Sequence, residues 1–176
     1  MRGIVMLAVM MAMTGCSRAP SDAPEPGQIV ALWDGKEPGR MRVGVEALHC
    51  ARDSTIELLA FHNDRAVGLA FYLAGDSLTE GTLPVGAIGQ GELPRPSVTG
   101  VFRAVHQDAL GGYQGREGEV ILVTTAGGVL TGRFSVSLTE RTTMDPVTVR
   151  GAFREVAVVP APEPCGRRPL RPEAIF

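Results

Sequence analysis

Val129-Leu130-Thr131-Gly132-Arg133-Phe134-Ser135-Val136-Ser137-Leu138 decides the fold class. Leu130, Phe134, Val136 and Leu138 fall on one side of a period of two, and Thr131, Arg133, Ser135 and Ser137 on the other, the pattern of a half-buried β-strand. Val147-Thr148-Val149-Arg150-Gly151-Ala152-Phe153 repeats it, with Val147, Val149 and Phe153 inward. Both stretches carry Gly-x-Phe at the same phase, and Thr99-Gly100-Val101-Phe102-Arg103-Ala104-Val105 carries it a third time. Glycine weakens a strand interior unless it serves packing. A core-facing Gly two places before a Phe leaves room for a neighbouring ring or lets the strand coil.

Working outward, the same period predicts further strands. Ile29 to Trp33 reads as a short edge strand ending at Asp34-Gly35, with Trp33, the sole tryptophan, covering one end of the core. Arg42 to Cys50 reads as one strand, broken at Asp53-Ser54. Thr55 to His62 and Ala66 to Leu73 make a hairpin around Asn63-Asp64, residues that tolerate the positive φ of a tight turn. Thr82 to Val85 is a short strand that should sit on an edge or begin one, because Pro84 has no backbone donor. Val98 to His106 follows, and 107–117 (QDALGGYQGRE) reads as a loop. Gly118 to Thr125 then turns at Gly127-Gly128 into the opening stretch. After a polar loop at 139–146 the last strand runs from Val147 to Val158. Its alternation slips after Phe153, and a bulge near Arg154-Glu155 would return Val156 and Val158 to the core. No long stretch has apolar residues at helical spacing. The expectation is an all-β chain, an antiparallel sandwich or barrel of about eight strands, over residues 29–159.

The start of the chain reads as an address. Met1-Arg2, an apolar run from Ile4 to Met13 and then Thr14-Gly15-Cys16 make a secretory signal peptide, with a run too short to span a bilayer, which takes about twenty residues. Met13-Thr14-Gly15-Cys16 resembles the lipobox of bacterial lipoproteins. In that family the chain is cut before the cysteine, which then carries acyl chains, so the resemblance implies a signal at 1–15 and lipidation of Cys16. Leu is usual where this chain has Met13. Ser17 resembles the residue that accompanies outer-membrane sorting in the family, and several acyl chains give stable anchoring. Residues 16–28 are rich in Pro and read as the lipidated Cys with a tether, and 160–176 as a Pro/Arg-rich tail. Cleavage would remove five of the seven Met and leave 161 residues, enough for one domain with its own core. A second resemblance rests on Gly81-Thr82-Leu83-Pro84-Val85, Gly118-Glu119-Val120 and the two late Gly-x-Phe strands. Over residues 41–158 these are similar to uncharacterised secreted lipoprotein domains, although Leu83 stands where that group has an aromatic residue. This resemblance implies a fold and an address, and no activity.

Chemistry is sparse. In an oxidising compartment the two remaining cysteines, Cys50 and Cys165, are expected to pair, pinning the tail to the domain. His49 adjoins Cys50, but neighbours on a strand point to opposite faces and do not share a metal. His49, His62 and His106 show no zinc spacing, and no Gly-x-Ser-x-Gly elbow occurs. No calcium loop is visible. The glycines of 86–96 precede no helix that would bind phosphate. The expectation is therefore no catalytic residue, no metal and no cofactor. One Lys stands against sixteen Arg on a chain of net charge −2, with no basic stripe of the kind nucleic-acid binders need. Arg167, Arg168 and Arg171 read as solvated, with contact to anionic lipid headgroups as the alternative. Three functional readings stay open. One is an envelope lipoprotein with a non-catalytic binding or structural domain. Another is a carrier of a small apolar molecule inside a hollow barrel, for which the 5% aromatic content is the compositional hint. The third is an envelope hydrolase. Its partners would be the membrane, through the lipid on Cys16, and a protein or small molecule the sequence does not name.

Overall fold

The computed structural model describes residues 23–75, 78–87, 93–106, 109–124 and 128–162. Ten strands form one sheet: β1 (Gln28–Trp33), β2 (Gly39–Gly44), β3 (Ala47–Cys50), β4 (Thr55–His62), β5 (Arg65–Tyr72), β6 (Gly81–Pro84), β7 (Ser97–His106), β8 (Ala109–Thr124), β9 (Val129–Glu140) and β10 (Pro146–Pro160). β3, β4, β5 and β7 to β10 close into a ring, because β9 pairs both β8 and β10 while β10 also pairs β3. Every pairing between named strands is antiparallel except β10 with β3, where Val158 to Pro160 run beside Ala47 to His49. The ring is not a clean barrel. The β1–β2 hairpin joins it through the first part of β10, and β6 hangs on the second half of β8.

Period two holds inside each wall. Along β9, Leu130, Phe134, Val136 and Leu138 are buried while Arg133 is exposed, and along β10 Val147, Val149, Phe153 and Val156 are buried. The register between these strands sets Gly151 opposite Phe134 and Gly132 opposite Phe153. A methyl group built on Gly132 would lie 2.8 Å from Cζ of Phe153, and one on Gly151 2.7 Å from Cζ of Phe134. The glycine of each Gly-x-Phe thus makes room for the ring of the other. Gly100 does the same for Val136, whose Cγ1 would be 2.9 Å from an added methyl. The expected bulge is present: the β9–β10 register shifts between Phe153 and Val156, and Glu155 takes φ 46°. Phe71 meets Phe153 edge-on at 6.3 Å, at the centre of a core that runs through all the ring strands.

Four sequence expectations are corrected. β1 is not an edge strand but lies between β2 and β10, since its backbone pairs along its whole length on both sides. The single strand at 42–50 is two, β2 and β3, separated at 45–46, where the chain leaves one partner for another. Residues 109–117 are not a loop. They open β8, because the ladder to β7 pairs Gly111 and Gly112 with Ala104 and Arg103 whatever their side chains. The sheet has ten strands rather than about eight. Residues 1–22 and 163–176, which contain Cys16, Cys165 and the tail arginines, lie outside the described residues.

Candidate functional site

The loop joining β1 to β2 closes one end of the ring. Trp33 is the last residue of β1 and turns inward by alternation, with Gly39 as its cross-strand partner. The indole fills the space a Gly39 side chain would need, 2.6 Å from an added methyl. Its ring lies 5.2 Å from that of Phe102, which in turn lies 5.5 Å from Tyr113. Trp33 therefore covers the core end, as its position predicted, and its indole N–H donates to the carbonyl of Glu37 at 2.9 Å.

Polar side chains stitch this cap to three other strand ends. The Thr148 N–H donates to Asp34 Oδ1 at 2.6 Å, Lys36 Nζ to Asp145 Oδ2 at 2.6 Å, and Arg65 Nη2 to Glu37 Oε2 at 2.9 Å. Arg65, largely buried, also donates to the Val105 carbonyl. The Lys36 ammonium, with help from Thr143, holds the Asp145 carboxyl below the usual carboxylate range, and Asp145 in turn raises Lys36. Glu140 is lowered by the side chain and N–H of Thr143 and by the N–H of Thr142. Burial, followed by the nearby charges of Glu140 and Asp145, raises Tyr113. The shifts at Lys36, Asp145 and Glu140 come from partners that hold the turn together.

Beneath the cap is a cavity of about 20 Å³ bordered by Trp33, Phe102, Tyr113 and Val147. That is room for about one water molecule, against about 300–1,000 Å³ for a ligand pocket. On the outer side of the same hairpin lies an open groove of about 650 Å³ between Arg40, Leu32 and Arg150. Cross-strand pairing makes this row: Leu32 sits between Arg40 of β2 and Arg150 of β10. The next row sets Val30 between Arg42 and Ala152, and Ala152 faces Arg133 of β9. Arg154 lies opposite Gln28. Five arginines spread over 115 residues of sequence thus share one outer face. The sequence displays no basic stripe, because the stripe runs across strands rather than along them.

The other residues singled out in the sequence do not meet. Cys50 is buried at the end of β3, while His49 is half-buried on the opposite phase and His62 is exposed at the β4–β5 turn. Among the described residues no group of three or more His, Cys, Asp or Glu is placed to hold a metal ion. Comparison of the chain with protein-family models, curated proteins and solved structures finds no match.

Proposed function

We propose that the chain is a bacterial envelope lipoprotein, anchored through acyl groups on Cys16, whose β domain works by binding or structural support at its surface and not by catalysis. The observation that carries the second half is the filled interior. Phe71, Phe102, Phe134 and Phe153, each at most 4% exposed, plug the ring together with the aliphatic core. Trp33 and its loop close one end over a space of about 20 Å³. A carrier of a small apolar molecule would need a hollow an order of magnitude larger, and a hydrolase would need converging acid, base or nucleophile. The cap offers instead carboxylates already engaged by Lys36, Arg65 and backbone N–H groups.

The anchor rests on Met13-Thr14-Gly15-Cys16, and Ser17 favours delivery to the outer membrane. The proposed disulfide gains support from topology. β10 ends with Pro160 beside His49, and the Ala161 N–H donates to the His49 carbonyl, so Cys165 comes five residues after the strand partner of the residue next to Cys50. Cys16→Ala is the test of the anchor. The variant precursor should stay uncut and acyl-free and leave the lipid-anchored membrane fraction. A variant processed and fractionated like the parent would defeat the proposal.

A further inference from the structure

We infer that the arginine face of β2, β1 and β10 docks on the anionic headgroups of the bilayer that holds the chain, an inference that rests on the proposed lipid anchor. Arg40, Arg42, Arg150, Arg154 and Arg133 project outward there, all exposed, beside the carboxylates Glu25, Asp34, Glu46 and Glu155. Among the described residues, arginines outnumber carboxylates on this face, on a chain whose formal charge is −2. The 3.7 Å pair of Arg150 with Asp34 joins side chains that are 66% and 51% exposed, so it competes weakly with a surface of many phosphates. Leu32, 41% exposed, lies on the floor between Arg40 and Arg150. Two guanidinium groups flanking an apolar floor fit headgroup phosphates with the glycerol beneath them.

The chain's exit points the same way. Arg42 Nη1 donates to the Ala23 carbonyl at 3.0 Å, and Gly27 is tied to β10 through the Arg154 carbonyl, so residues 23–27 leave along this face. Ala23 is seven residues after Cys16, a span of at most about 25 Å. An anchor at Cys16 thus tethers the domain from this side. The charge pattern reinforces the orientation. Two strands beyond Arg150, Glu119 of β8 faces Ser135 of β9, so the surface turns acidic where it curves away. An anionic bilayer attracts one end of that row and repels the other.

Arginine modification by phenylglyoxal, read residue by residue by mass spectrometry, tests this on the mature acylated protein in vesicles. The comparison is phosphatidylglycerol-rich against pure phosphatidylcholine vesicles. Arg40, Arg150 and Arg154 should react at least about fivefold more slowly on the anionic vesicles, the difference vanishing at about 0.5 M salt. Arg103, exposed on β7 across the ring, should react alike on both. Equal rates at the three arginines, with the acyl mass present on Cys16, would overturn the inference and leave the anchor standing. Equal protection by free polyphosphate without vesicles would overturn the lipid assignment in favour of a general polyanion site. If the purified chain carries no acyl group the anchor reading fails instead. The same comparison with vesicles added to that chain still decides whether the face recognises anionic lipid.

Discussion

Phe153 of β10 stands directly across from Gly132 of β9, and its ring occupies the volume that a side chain at 132 would need. Phe134 and Gly151 repeat the relationship in reverse on the same two strands. Gly132→Ala would push a methyl within 2.5 Å of the Ile121 carbonyl as well as against the Phe153 ring. Overpacking of this kind costs about 1–3 kcal/mol. Gly112→Ala, where nothing lies within 4 Å, should cost within about 0.5 kcal/mol. Denaturant melts of the two variants should differ by that margin, and equal midpoints would deny the interlock.

The two phenylalanines should be costlier to remove than their glycines are to enlarge. Phe134→Ala and Phe153→Ala should each cost about 3–5 kcal/mol, since both rings are at most 4% exposed. Arg133→Ala and Ala152→Ser, one residue away on the outer face, should stay within about 1 kcal/mol. Similar losses at Arg133 and Phe134 would mean that β9 faces the wrong way.

The cap should loosen in acid before the ring does. Lys36 and Thr143 hold Asp145 below its usual range, and Thr143 and Thr142 hold Glu140 there. Both shifts favour the charged folded form. Their contribution is therefore present above the unfolded carboxylate value of about 4 and is lost as pH falls through the depressed folded values. Trp33 fluorescence should report this opening, since its N–H is fixed to the same loop at Glu37. Asp145→Asn should already show part of the change at neutral pH. A Trp33 signal that stays flat in acid until the sheet itself melts would refute the coupling.

Cys50 and Cys165 should be found as a disulfide in protein from an oxidising compartment. It would close a loop of more than a hundred residues, and its reduction should cost about 4–5 kcal/mol on the chain-entropy account. Alkylation of both thiols in the folded, unreduced protein would dispose of the bridge.

What the sequence displayed and what it concealed divide along a physical line. Local alternation shows which face of a strand is buried, so Leu130 to Leu138 and the slip at Arg154-Glu155 were legible. Partner choice is not local. Nothing near Ala47 announces that Val158 will run parallel beside it, and nothing near Arg40 announces Arg150 two strands away. β8 was hidden for a second reason. Its first half, with Gly111, Gly112 and Gly115, has few side chains to alternate, and backbone ladders to β7 and β9 hold it instead.

The intact mass of the protein purified from its native membrane bears most directly on the proposed role. The chain should begin at Cys16, lack residues 1–15, and carry the added mass of its acyl groups on that residue. A chain that starts elsewhere, or that begins at an unmodified Cys16, would contradict it.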